Sequence, residues 1–302
     1  MKISNKMERL YFKVADLHFS IEASSVSLIK KLLPSYAPFC VAEGGEQKTM
    51  LHVVIDNGVV DSLAEGEELG QFDCGGTNHG VYRLSDGYKV VISTVEGRLA
   101  SAMKTNADFS ECIVSLFGDE DDQRFGLGNA MMIAFAFAAA YYNVVLMHAS
   151  VTMNKGYGYL FLGKSGTGKS THSKLWRQYI EGSDLLNDDN PAVRAFDDGR
   201  VVVYGTPWSG KTPCYRNLQM PVGAYVRLEQ YPENIIRQES RLETFASVLS
   251  SCSTMVWDKP SYDHITNTVS QIASKVSAYY LRCRADEEAA LLSYRTIAQH
   301  KG

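Results

Sequence analysis

No CxxC pair and no cluster of cysteine with histidine occurs in the chain, whose six cysteines, at 40, 74, 112, 214, 252 and 283, stand far apart. That spacing argues against both a zinc site and a disulfide framework, and reduced, mostly buried thiols are expected. An excess of basic charge is also missing: 30 Lys and Arg face 34 Asp and Glu, a formal net charge of −4. The chain therefore has no global field for nucleic acid, and any anion site must be local. The opening MKISNKMERLYFKVADLHFS lacks a long apolar core, so no secretory signal is expected and the chain reads as cytoplasmic. One stretch, AMMIAFAFAAAYYNVVLM at 130–147, approaches the length of a membrane span. Asn143 interrupts it, alanine replaces leucine through most of it, and its end is β-prone. A buried helix over 130–142 followed by a strand is expected, with no membrane partner. Internal repeats and low-complexity tracts are absent.

The 302 residues, 45% of them apolar and 21% charged, have the composition and length of a globular chain with one large or two modest domains. Residues 8 to about 105 carry short apolar or alternating runs, RLYFKVADLHFSI, MLHVVI, HGVYRL and YKVVIS, between turn clusters at Gly44-Gly45, Gly75-Gly76 and Asp86-Gly87. This predicts a small, mostly antiparallel β region with a helix from Ser24 to Leu33 that Pro34 stops. The acidic GDEDDQ at 118–123 reads as a solvated boundary, dividing a mainly β region, 1–120, from a second domain, 121–302. There, strand-like VVLMHASV, YGYLFLG, RVVVYG and VGAYVRL surround one helix, Lys169–Tyr179. Strands outnumber helices, unlike strict βαβ alternation. Beyond about 235, ESRLETFASVLSSC, TVSQIASKVSAYY and ADEEAALLSYRTIAQ read as helices, the last with Asp286, Glu287 and Glu288 in its first turn. The fold class is α+β.

The strongest signal is Gly163-Lys164-Ser165-Gly166-Thr167-Gly168-Lys169-Ser170, followed by Thr171. It fills every position of GxxxxGK[ST] after a strand-like YLFL. Glycines let the backbone N–H groups turn inward around an anion, and the following helix adds its positive end. Lys169 is expected on the β- and γ-phosphates of ATP, and the Ser170 hydroxyl on Mg²⁺.

Two further elements flank the loop in sequence. LLNDDNPAV places Asp188 and Asp189 after a short apolar run, where one carboxylate can hold Mg²⁺ and the other accept the proton of an attacking hydroxyl. The competing reading is a plain turn, since Asp-Asp-Asn-Pro is turn chemistry. Upstream, His148 closes the apolar run of LMHASV. Downstream, PWSGKT combines a flexible backbone, two hydroxyls and Lys211, a clamp for a γ-phosphate or an anionic substrate, or else a loop held by the packing of Trp208. Arg216 is a second, weaker cation.

HAS, GKSGTGKS and NDD, in this order and at this spacing over residues 144–215, resemble the kinase core of HPr kinase/phosphorylase. That enzyme phosphorylates a serine of a phosphocarrier and shares its phosphate-loop fold with phosphoenolpyruvate carboxykinase. Uncharacterised HPr-kinase-like proteins of Bacteroides-type bacteria carry the TPWSGK stretch as well. The resemblance implies a phosphate loop among mixed strands. It puts His148 near the metal and the transferring phosphate, and divides base and metal duties between Asp188 and Asp189, in either order; Asp188 as base and Asp189 on the metal is the order taken here. It also implies a homo-oligomer. The chain departs from that family where a glutamate- and arginine-containing signature is expected and YGTPWSGKTPCYRN stands, at 204–217, and it shows no likeness before residue 144.

The expected activity is that of an ATP-dependent, Mg²⁺-assisted kinase acting on a hydroxyl of a protein serine or of a small molecule. Two other classes compete: a non-catalytic nucleotide-binding regulator, which has no use for a second aspartate, and carboxykinase-like phosphoryl exchange with a small acid, which calls for several arginines.

Overall fold

A computed structural model describes residues 7–42, 48–58, 66–74, 77–210 and 212–299. The chain divides into two compact units, 1–139 and 140–302. Where the sequence placed the division at 120/121, the units part nineteen residues later, so that the long helix closing the first unit belongs to it.

The first unit consists of β1 (Glu8–Val14), β2 (Leu17–Ala23), α1 (Val26–Leu32), a 3₁₀ turn (Pro34–Phe39), β3 (Cys40–Val41), β4 (Leu51–Ile55), β5 (Glu67–Cys74), β6 (Thr77–Arg83), β7 (Gly87–Ser93), β8 (Leu99–Asn106), β9 (Glu111–Leu116) and α2 (Glu120–Ala140). Its sheet runs β3-β1-β2-β4-β9-β8-β7-β6-β5. Pairing is antiparallel throughout except at β2/β4 and β4/β9. The α1 helix starts where Ser25 Oγ accepts the Leu28 N–H at 3.2 Å, and Pro34, which cannot continue it, opens the 3₁₀ turn.

Almost every residue of α2 from Ala130 to Ala140 is buried, and Phe135 and Phe137 meet Phe19 and Phe109 edge-on or tilted. The alanine run is thus a core helix, ending in a turn with Asn143 at a positive φ of 58°. No helix among the described residues is long and apolar enough to cross a membrane. The acidic segment is a helix start, exposed as expected at Asp119, Glu120 and Asp121 but buried at Asp122. Asp119 Oδ1 accepts the N–H groups of Asp121 and Asp122, each at 3.0 Å. Asp122 is buried against Arg98, whose Nη2 donates to it at 2.7 Å. The charges read as a solvated boundary sit at the positive end of a helix and in an ion pair.

The second unit consists of β10 (Val144–Leu146), β11 (Ala149–Asn154), β12 (Tyr157–Leu162), α3 (Lys169–Tyr179), β13 (Asp184–Asn187), β14 (Ala192–Ala195), β15 (Val201–Tyr204), β16 (Gln219–Gln230), β17 (Ile235–Gln238), α4 (Arg241–Leu249), α5 (Lys259–Lys275), β18 (Ala278–Cys283) and α6 (Glu287–Ile297). The sheet order is β10-β14-β15-β16-β12-β11-β13, with β18 between β16 and β17. β16 is long enough to serve two partners in turn: Gln219–Pro221 pair with β15 antiparallel, and Val222–Arg227 with β12 parallel. The expected α+β class stands.

One expected helix is shorter than its pattern. TVSQIASKVSAYY is helical only to Lys275, and Ala278–Cys283 form β18, parallel to β16. Aromatic Tyr279 and Tyr280 suit a pleated surface better than a helix end, and an open strand edge was waiting for them. The last helix begins where Asp286 caps it, its side chain accepting the Ala289 N–H at 2.9 Å.

The α3 helix lies on β12 and α6. Trp176 is fully buried, its ring 5.1 Å from that of Tyr159 and 5.4 Å from that of Phe161. Its Nε1 donates to Ser293 Oγ at 2.9 Å, and that hydroxyl donates to the Ala290 carbonyl, also at 2.9 Å. Ser293 therefore accepts from its other neighbour, His172 Nε2 at 3.0 Å, which puts the imidazole proton on Nε2. Burial pushes the His172 pKa down to about 4. Its unfolded pKa is near 6.5, so between those values the unfolded chain binds a proton that the folded chain refuses. Stability is expected to fall by roughly 3 kcal/mol as pH drops through that window. Denaturant titrations at pH 7 and 4.5 should show the loss, and His172→Gln, which has no charge to gain, should flatten it.

Candidate functional site

The functional candidates collect at one end of the second unit's sheet. β12 and β16 run toward that end, and antiparallel β11 starts from it. Its floor is therefore the last residue of β12, the first of β11 and the turn after β13.

From β12 the chain enters Gly163–Gly168 and leaves as α3. Gly163, Gly166 and Gly168 have φ values of 145°, 82° and 102°, a region that side chains disfavour. At Gly163 a Cβ would also meet Thr167 Oγ1 at 2.5 Å and the Leu228 carbonyl at 3.3 Å. At Gly166 and Gly168 it would meet nothing within 4 Å, so the loop keeps open space in front of its backbone. Thr167 Oγ1 donates to the Lys164 carbonyl at 2.9 Å, and Gln230 Nε2 donates to the Gly166 carbonyl at 3.0 Å. Lys164 and Ser165 are exposed, and Lys169, Ser170 and Thr171 form the first turn of α3.

Lys169 is buried and folds back over the loop. Its Nζ donates to the carbonyls of Gly163 at 2.8 Å and Lys164 at 3.2 Å. Burial lowers its pKa, and Asp189 and Asp188 oppose that shift through space. Both aspartates thus act on the loop's cation.

Asp188 and Asp189 occupy the turn after β13, and the turn is built rather than loose. Fully buried Asn187 accepts the Asp189 N–H at 2.9 Å and donates to Thr206 Oγ1 at 3.0 Å and to the Trp208 carbonyl at 3.1 Å. One side chain therefore ties the aspartates to the Thr206–Trp208 loop. Asp188 is buried: Ser150 Oγ donates to its Oδ1 at 2.8 Å, whereas its Oδ2 has no hydrogen-bond partner among the described residues. Ser150 in turn lies 2.6 Å from Ser173 Oγ on α3. Asp189 is half-buried, with burial raising its pKa, and its Oδ1 lies 3.6 Å from His148 Nε2.

His148 lies in the gap between β10 and β11 rather than within a strand, half of its side chain exposed, and its N–H bonds the Ser251 carbonyl at 2.7 Å. Trp208 is buried, which suits its expected packing role. Lys211 lies outside the described residues. Arg216 does not join the site. Its guanidinium pairs with Asp184, at the opposite end of β13 from Asp188, so the second cation expected from sequence is occupied elsewhere.

Sequence reasoning missed Asn187, Ser150, Ser173 and Gln230. Ser150 had a signal, standing two residues after His148 in a strand-like run. Asn187 opens the NDDN turn and could have been read as the residue that holds it. Ser173 and Gln230 had none, for their roles depend on which elements pack together.

On the other side of α3 a cavity of about 580 Å³ opens beside the loop, lined in part by Thr167, Thr171, Leu175, Leu228, Tyr231 and Arg284. Its mixed lining and size suit a small organic ligand. Arg282 stacks on the Tyr231 ring at 3.4 Å from its centroid, which holds that ring in place.

No protein-family model matches the sequence, and no curated protein matches it. Among solved structures, the HPr(Ser) kinase/phosphatase from Coxiella burnetii is similar over 50% of this chain and 93% of its own, at 12% identity and a TM-score of 0.29. That is a distant structural relation.

Proposed function

We propose that the chain is an ATP-dependent, Mg²⁺-assisted kinase that transfers a phosphoryl group to a hydroxyl. The observation that carries this reading is Asp188, a buried carboxylate with one oxygen oriented by Ser150 and the other unpartnered among the described residues, acting through space on the lysine of a glycine loop. A carboxylate held by a third group, with one oxygen free, has the form of an oriented general base.

In this reading the N–H groups of residues 163–168 cradle the phosphates, and Lys169 leaves its own loop carbonyls to neutralise them. Ser170 and Asp189 hold Mg²⁺, a set that suits an ion which keeps several waters and takes the rest of its ligands from phosphate. Bound there, the ion supplies charge neutralisation on the phosphate oxygens. Asp188 Oδ2 accepts the proton of the attacking hydroxyl. His148, beside Asp189, adds a donor at the open edge. The nucleoside occupies the cavity beside Thr171 and Tyr231, where the α3 N-terminus leads directly from phosphates to base.

Purified protein with γ-labelled ATP, Mg²⁺ and lysate of its source organism should yield a labelled polypeptide or a labelled metabolite. ATP bound without any labelled species would return the site to a non-catalytic regulator. Ser150→Ala frees the Asp188 carboxylate to turn, and is expected to lower the transfer rate about tenfold while ATP affinity stays unchanged. Steady-state kinetics beside a binding titration would check the separation.

A further inference from the structure

We infer that Arg227 recognises the phosphoacceptor, and that the acceptor carries a carboxylate or phosphate beside its hydroxyl. The inference rests on the kinase reading above and specifies its second substrate.

Arg227 pairs in register with Leu162, the residue before Gly163, so its backbone lies about 5 Å from the strand that feeds the loop. Its neighbours Val226 and Leu228 point into the core with Phe161 and Trp176. Alternation sends Arg227 to the other face of the sheet. Leu228 lines the cavity beside α3, and Arg227 therefore does not. A cation on that face is not placed for the nucleoside.

Its guanidinium is placed instead beside the catalytic edge. Nη2 donates to Ser250 Oγ at 2.7 Å, and the next residue, Ser251, accepts the backbone N–H of His148. The chain that anchors the arginine thus also anchors the histidine beside Asp189. Ser250 is a neutral partner whose own hydroxyl donates to the Ser247 carbonyl.

Among the described residues no carboxylate lies within 4.0 Å of Arg227, although the same limit gives ion pairs at Arg237, Arg282 and Arg284 on neighbouring elements. Glu239, on which Arg227 acts through space, bonds Ser247 instead, and burial raises its pKa. A guanidinium offers five donors in a planar fork that fits carboxylate or phosphate. Among the described residues one donor is engaged, by a hydroxyl, so the fork remains available to an incoming anion. A hydroxyl acceptor alone would need no such cation at this edge.

The test saturates the protein with Mg²⁺ and the non-hydrolysable analogue AMP-PNP, then titrates it calorimetrically at constant ionic strength with inorganic phosphate in one arm and succinate in the other. Wild type should bind one or both, phosphate marking a phosphorylated acceptor and succinate a carboxylated one. Arg227→Gln should weaken that binding about tenfold or more and leave AMP-PNP affinity unchanged. Arg227→Lys should restore part of it. The unchanged nucleotide affinity certifies that the variants are folded. If nucleotide-loaded wild type binds neither anion, or if Arg227→Gln binds as wild type does, the inference is overturned while the kinase reading stands. If AMP-PNP itself does not bind, the kinase reading fails and this inference goes with it.

Discussion

Lys169→Ala is expected to abolish measurable ATP binding and turnover while leaving the fold intact. The ammonium is buried and bonded only to carbonyls of its own loop among the described residues, so no distant element depends on it. Removing it takes a donor from the Gly163 carbonyl, while the Lys164 carbonyl still accepts from the Thr167 hydroxyl and N–H. The loss should fall on the ligand, because a triphosphate set beside Asp188 and Asp189 would lose the one loop cation that contacts it directly and be left with Mg²⁺ alone to offset the repulsion. A charge-assisted contact to phosphate is among the strongest single interactions available to a side chain. Calorimetry with Mg²⁺ and ATP beside a thermal melt separates the two effects. Unchanged affinity in the variant would remove the glycine loop from the mechanism, whereas a collapsed melting transition would show that Lys169 holds the fold. Lys169→Arg should not rescue, since the cation sits in a narrow fold of the loop and a planar guanidinium cannot replace its compact contacts.

The residues that carry this argument were legible in sequence to very different degrees. The loop, the α3 helix and the NDD turn could be read because their chemistry is local: glycine where φ must be positive, a lysine and a hydroxyl at a helix start, a short apolar run before two acids. The antiparallel character of the first unit was equally visible, through alternation and turn clusters. Long-range partners were not visible. β18 was hidden inside a helical pattern because the edge that recruits Tyr279 and Tyr280 is contributed by β16, fifty residues earlier. GDEDDQ looked solvated throughout because nothing local reveals that Asp122 will meet Arg98. Arg216 looked available until the fold set it beside Asp184. In each case the side chain's nature was known and its neighbour was not, which is why Ser173 and Arg227 emerge only from the structure.

The two aspartates should part company when each is replaced by asparagine. Asp188→Asn preserves size and can still accept the Ser150 hydrogen bond through its amide oxygen, but its other terminus becomes an NH₂ that donates and cannot take a proton. Nucleotide binding should survive, and transfer should fall about 10²–10⁴-fold, the usual range for losing a general base. Asp189→Asn removes the half-buried charge that stands 3.6 Å from His148 and that is assigned to Mg²⁺. It should weaken Mg²⁺·ATP binding itself, visible as a higher Mg²⁺ concentration for half-saturation, with a smaller loss in rate once the metal saturates. The contrast follows from surroundings rather than from residue type: Asp188 is buried and oriented, with one oxygen unpartnered among the described residues, and Asp189 lies at the open edge. Reversed phenotypes would exchange the two roles and keep the kinase. Two variants that only lower affinity, together with a wild type that labels nothing in a lysate, would instead make the pair a metal-binding feature of a nucleotide sensor, because a sensor has no proton to accept.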